Sequence, residues 1–127
     1  MSLFRRLLPF WLLLFLTGCG KSTADWVEQA KSADPVKRLH AIHALREKVD
    51  EKEVVLPVLI EALKDENTSV RRDAARSLGH FGSEAREAAP ALRMLLPDKE
   101  PSVRKAAGEA LKQIDSTAAA RATVGSN

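Results

Sequence analysis

The chain has 127 residues, enough for one domain, and its single cysteine excludes a disulfide framework within the chain. Its 20 basic and 17 acidic side chains give a formal charge of +3. Arg5 and Arg6 fall in a segment expected to be a leader, and setting them aside takes 20 basic residues to 18 against 17 acidic ones, which excludes the one-signed field of a nucleic-acid binder.

The first element has three zones. Residues 1–6 carry two arginines and no acid. Residues 7–16, LLPFWLLLFL, are apolar but far short of the roughly 20 that a bilayer-spanning helix needs. This is the length of a signal h-region, and small residues follow it. Leu16, Thr17, Gly18 and Cys19 resemble the lipobox of bacterial lipoproteins. The resemblance implies a diacylglycerol thioether on Cys19, cleavage just before it, and a fatty acyl group such as palmitate on the new amino terminus. An ordinary secretory signal and an uncleaved anchor are the alternatives. Arg5 and Arg6 also admit a twin-arginine reading, but their flanks, FRRLLP, fit it poorly and favour the general secretory route. Residues 1–18 are thus expected to be removed, leaving 109 of the 127. Residues 19–24 are read as the lipidated cysteine and a small polar tether.

From residue 25 onward the chain repeats itself every 33 residues. Arg38, Arg71 and Arg104 keep that step, as do Ala41, Ala74 and Ala107, and Leu45, Leu78 and Leu111. Pro57 and Pro90, Leu59 and Leu92, Leu63 and Leu96, and Asp65 and Asp98 share it. A period of this size signals stacked helical pairs. The first helix type reads VVLPVLIEALKD (54–65) and APALRMLLPD (89–98). The second reads SVRRDAARSLGHFG (69–82) and SVRKAAGEALKQI (102–114). An earlier pair sets Trp26 where Leu59 and Leu92 stand, followed by VKRLHAIHALREKV (36–49), with a register slip expected at Asp34 relative to Asp65.

Turn chemistry agrees with this division. Pro35 and Pro101 fit a first helical turn, Ser22 and Asp25 have capping-box spacing, and Gly79 and Gly82 are expected to stop a helix. Pro57 and Pro90 are expected inside their helices, where each would kink the axis. Residues 116–127, STAAARATVGSN, lose the period, so residues 115–127 are expected to be a frayed or disordered tail.

The stretch DENTSVRRDAARSLGHFGSEAREAAPALRMLLPDKEPSVRKAAGEALKQI resembles tandem HEAT repeats of the short, alanine-rich kind found in HEAT-like domains of phycobilin lyases. The similarity covers residues 25–114. It implies an all-α fold, a short HEAT-like α-solenoid of antiparallel helix pairs, in a family composed mostly of binding scaffolds. In such repeats the aspartate and arginine columns, here Asp65, Asp98, Arg71 and Arg104, hold adjoining turns and helices together. The second helix of each pair lines the concave face, which places Arg72, Arg76, Lys105, Glu109 and Lys112 on a mostly basic, protein-binding stripe.

Catalytic and metal chemistry find little support. No nucleophile with a base and no glycine-rich phosphate loop is present, so a non-enzyme without cofactor is expected. His40 and His43 lie three apart on a helix, but no further ligand is evident, and the aligned positions Asp73, Arg76, Ala106 and Glu109 read as a solvated face. His80 falls elsewhere. Gly108, mid-helix, aligns with Ala75 and is expected at a close helix contact.

The expectation is a lipid-anchored scaffold of the bacterial cell envelope, facing the periplasm or exterior, that binds another envelope protein and no nucleic acid. Gly20 is not the aspartate that in some bacteria marks inner-membrane retention, so either membrane remains open. A phycobilin-lyase-like chromophore chaperone is the first rival, although the chain has no tyrosine for such a pocket. A structural envelope protein that self-associates weakly through its repeat ends is the second.

Overall fold

A computed structural model describes residues 20–124, and the side chains of residues 20–117. Residues 1–19, and with them Leu16, Thr17, Gly18 and Cys19, lie outside the described residues. Six α-helices follow in order: α1 (Thr23–Gln29), α2 (Pro35–Arg46), α3 (Lys52–Ala62), α4 (Thr68–His80), α5 (Ala89–Arg93) and α6 (Pro101–Val124). Short 3₁₀ segments, Val49–Glu51 and Gly82–Ala88, lead into α3 and α5. There is no strand among the described residues.

Two of the second helices, α2 and α4, start on the same device. Asp34 and Asn67 cap α2 and α4 with their side chains, and Pro35 occupies the first turn of α2. The Arg38, Arg71 and Arg104 amides then bond the carbonyls of Asp34, Asn67 and Glu100, each at 3.1 Å. These three acceptors are 33 residues apart, so the expected slip at Asp34 is absent. Asp34 is the partner of Asn67, and Ser32 is the residue that stands where Asp65 and Asp98 stand. Its hydroxyl accepts from the Asp34 amide at 3.2 Å, as Asp65 accepts from Asn67 at 2.8 Å and Asp98 from Glu100 at 2.9 Å.

The folded region is longer at both ends than its repeat pattern. Ser22 closes a full capping box with Asp25, and Thr23 is buried, its hydroxyl donating to Glu51 at 2.7 Å. The expected tether is therefore structured from Ser22. At the other end α6 extends past residue 115 to Val124, and Thr117 packs against Gly82. Gly82, at φ +54°, makes the turn that ends the second pair, a conformation in which a Cβ would be strained.

Two other turn expectations are corrected. Gly79 lies within α4, where a Cβ would sit 3.0 Å from the Ala110 Cα, so its smallness serves a close approach of α4 to α6. Pro90 stands at the first turn of a five-residue α5, not inside a longer helix, because the preceding segment is 3₁₀; Pro57 is interior to α3 as expected. Gly108 is also corrected, since a Cβ there would meet nothing within 4 Å.

The second helices form one closely packed row, with α4 between α2 and α6. Ala41, Ala74 and Ala107 are fully buried along it, small enough to let the helix axes approach. Ile42, Leu45, Leu59, Leu63, Leu78, Leu92 and Ile114 fill the space between this row and the first helices as one continuous core, with Trp26 partly buried against it. The first helices stand further apart. A mostly apolar cleft of about 380 Å³ opens between α1 and α3, lined by Ala30, Pro57, Val58 and Ala62 among others. A tight row beside a splayed row curves the stack, with α2, α4 and α6 on the inside.

Candidate functional site

The inner face is held in place by repeated arginine–aspartate rungs. Arg38 donates from Nε and Nη2 to the two carboxylate oxygens of Asp65, at 2.7 and 2.9 Å, and Arg71 does the same to Asp98 at 3.0 and 3.2 Å. The remaining Nη1 of each turns back to its own loop: Arg38 to the Ser32 and Ala33 carbonyls, Arg71 to those of Asp65 and Glu66. One guanidinium thus ties the loop before its helix to the loop of the next pair, a use of its planar fork that lysine cannot reproduce. Burial pushes the Asp98 carboxyl up, but bonds from Arg71 and the Glu100 amide outweigh this and hold it below the usual aspartate range. Arg104 engages only the Asp98 and Lys99 carbonyls, through Nη1.

Fixed by these rungs, α4 and α6 bring together four of the five stripe residues read from the sequence. Arg72, Arg76, Lys105 and Glu109 line one hollow of about 300 Å³ with Ser102 and Ala106. Lys112 is exposed and is not among the side chains that line the hollows of this face. Two more hollows adjoin the first, sharing Arg76. One, of about 220 Å³, adds Arg46, His80 and Gln113; the other, of about 240 Å³, adds His43, Asp73 and Ser77.

Arg46 was missed by the periodic reading because its column holds Gly79 and Lys112, three unlike residues. Its spacing of three from His43 on one helix face was the available signal.

The charges on this face are not balanced. Asp73 is buried and already committed, accepting from Arg72 Nε at 2.8 Å and from His43 Nε2 at 2.9 Å. An ionised carboxylate only accepts, so the His43 Nε2 carries the proton in this bond. Burial raises the Asp73 carboxyl, yet the bonds from Arg72 and His43 prevail and lower it, while Arg72 is itself raised by Asp73. Asp73 is therefore part of the fold, not the solvated position its alignment suggested. Glu109 lies 3.9 Å from Lys105.

Arg76 has no carboxylate within ion-pair distance among the described residues. Among the described residues Arg46 has only Glu47, at 4.0 Å, and its Nε is buried without a hydrogen-bond partner there. The surplus is cationic, and two of its members are guanidiniums that can take a carboxylate on two parallel bonds.

His40 is exposed and takes no part in this face. Among the described residues no three metal-ligating side chains come together. No helix among them is long and apolar enough to cross a membrane.

A curved row of helix pairs, locked by inter-unit rungs and presenting one face of side chains, is an α-solenoid. The sequence model described as HEAT repeats matches residues 23–112, and the chain belongs to that family. Among solved structures it is similar to the complex of CpcE and CpcF of phycocyanin lyase from Nostoc sp. PCC7120, with a TM-score of 0.68 and 28% sequence identity. That match covers 77% of this chain and 39% of the other, so this chain spans well under half the length of that neighbour. No curated protein matches it.

Proposed function

We propose that this HEAT-repeat protein is a membrane-anchored adaptor of the bacterial cell envelope, which holds an acidic segment of another protein on its inner helix face and does not itself catalyse a reaction. The observation that carries the reading is the cationic surplus of Arg46, Arg76 and Lys105 across three stacked helices: among the described residues Arg76 has no carboxylate partner, Arg46 and Lys105 meet Glu47 and Glu109 only at 4.0 and 3.9 Å, and Asp73 is held by Arg72 and His43. Such a surface steers an acidic partner and fixes its register, because a wrong partner meets like charge. The similar solved structure is a complex of two proteins, which agrees with partner binding. The anchor is the lipid on Cys19 that the lipobox-like Leu16, Thr17 and Gly18 imply.

The test is charge reversal of Arg46, Arg76 and Lys105 to glutamate. Arg72 is left intact, because reversing it would set a second carboxylate against Asp73 and disturb the fold. A folded triple variant that captures the cross-linked native partner as well as wild type does would refute the assignment.

The likeness to a phycocyanin lyase complex favours a second reading, in which the chain handles a chromophore as a lyase-type chaperone. Titration with a linear tetrapyrrole separates the two. A saturable spectral shift removed by substitutions at Arg46 and Arg76 supports the chaperone, and an unchanged spectrum supports the adaptor.

A further inference from the structure

The repeat supplies its own internal standard, because equivalent positions 33 residues apart show what each unit buries against the next. Leu63 is 2% exposed but its partner Leu96 is 43% exposed. Arg71 is 7% exposed and meets Asp98 through two bonds, whereas Arg104 is exposed and, among the described residues, its Nε and Nη2 have no partner. Leu45 and Leu78 are fully buried and Leu111 is half-buried. Ile42 and Ala75 are buried, while Gly108 faces open space.

Four columns therefore lose their cover together in the last unit. Arg104, Gly108 and Leu111 are spaced at i, i+4 and i+7, one stripe along α6. The stripe is what an inner unit uses to receive its successor, with the guanidinium edge that elsewhere takes an aspartate left open.

We propose that this end of the stack docks a helical-repeat unit of another protein, seated as each unit here sits on the one before, with an aspartate in the loop joining its first helix pair completing the Arg104 rung. Charge complementarity picks the occupant. A second copy of this chain would bring its own first loop, where Ser32 offers a hydroxyl in place of the carboxylates of Asp65 and Asp98. Head-to-tail stacking of identical chains thus leaves Arg104 without its bidentate acceptor. This surface is independent of the cationic inner face.

The test uses the full chain purified in detergent and two synthetic arrays of the same repeat. One array carries aspartate in its first inter-helix loop, and the other carries asparagine there. The aspartate array is expected to bind about tenfold or more tightly, the difference a charge-assisted pair makes. Arg104→Gln should abolish that preference without moving the melting midpoint, and reversal of Arg46, Arg76 and Lys105 should leave it intact. Equal binding of the two arrays, absence of binding, or an Arg104→Gln variant that keeps the preference would overturn the proposal. Self-association of the chain alone that Arg104→Glu abolishes would assign the face to a second copy and overturn it as well.

Discussion

Arg71 and Arg104 occupy the same helix position in successive units, yet only Arg71 meets a carboxylate. Its side chain and that of Asp98 are each 9% exposed, so removing one partner strands the other in a poorly solvated site. Arg71→Gln is expected to cost about 3 to 5 kcal/mol. Arg104→Gln, at an exposed position with no carboxylate partner, should change stability by under about 0.5 kcal/mol. Thermal melting of the two variants side by side checks the difference, and equal losses would contradict the rung geometry. The same pairs set a pH dependence. Asp98 and Asp73 are held below the usual aspartate value of 3.8 in the folded chain. Where the unfolded chain takes up their protons and the folded chain does not, acidification favours unfolding. Their stabilisation is fully present above about pH 5 and is lost as pH falls through the lowered folded values. Melting midpoints that drop on acidification below about pH 4, with a shallower drop in Asp73→Asn, are the expected result.

At the scale of the helices, two glycines on neighbouring elements should respond to alanine with opposite sign. In Gly108 the added methyl meets open space and improves helix propensity, so Gly108→Ala should stabilise by up to about 1 kcal/mol. In Gly79 the methyl is driven toward the Ala110 backbone, and the overpacking should cost about 1 to 3 kcal/mol despite the same propensity gain. Denaturant titrations of both variants check this, and a stabilising Gly79→Ala would mean that α4 and α6 are less closely packed than described. Sequence spacing alone placed the close contact at Gly108 and a helix stop at Gly79, because it reports which positions are equivalent and not how near a neighbouring helix passes. The period did reveal the helix pairs, the alanine row and the arginine and aspartate columns. It did not reveal that Arg38 and Arg71 reach forward to the next unit's aspartate, since Arg71 is near Asp65 in sequence and bonds only its backbone carbonyl. Nor did it show the shortness of α5, where the run 82–88 adopts 3₁₀ geometry ahead of Pro90, or the continuation of α6 past residue 115. On the inner face Arg72, Arg76, Lys105 and Glu109 were legible through their shared helix face, whereas Arg46 was hidden by a column of unlike residues.

For the molecule as a whole, one continuous core joins all three pairs, so damage at its centre should spread. Leu78 is fully buried on α4, between the flanking second helices, and Leu78→Ala should cost about 2 to 5 kcal/mol, a large share of what so small an array has. Circular dichroism melting checks this, and an unshifted midpoint would contradict the single-core description. The proposed anchor is tested separately: labelled fatty acid should enter the wild-type chain, and Cys19→Ser should leave an unlabelled, unprocessed precursor. A curved, cross-braced stack presenting a cationic surplus on its inner face is suited to gripping an acidic partner, with rigidity lowering the ordering cost of the complex. That grip is tested most directly by measuring how tightly the native partner, identified by cross-linking at Arg76, binds to wild type and to the Arg46, Arg76 and Lys105 glutamate variant across a range of salt. The expected result is an unchanged melting midpoint, affinity lower by about tenfold or more in the variant, and a wild-type affinity that falls as salt rises while the variant's does not. Equal affinity of the two folded proteins at every salt concentration would contradict binding through the inner face.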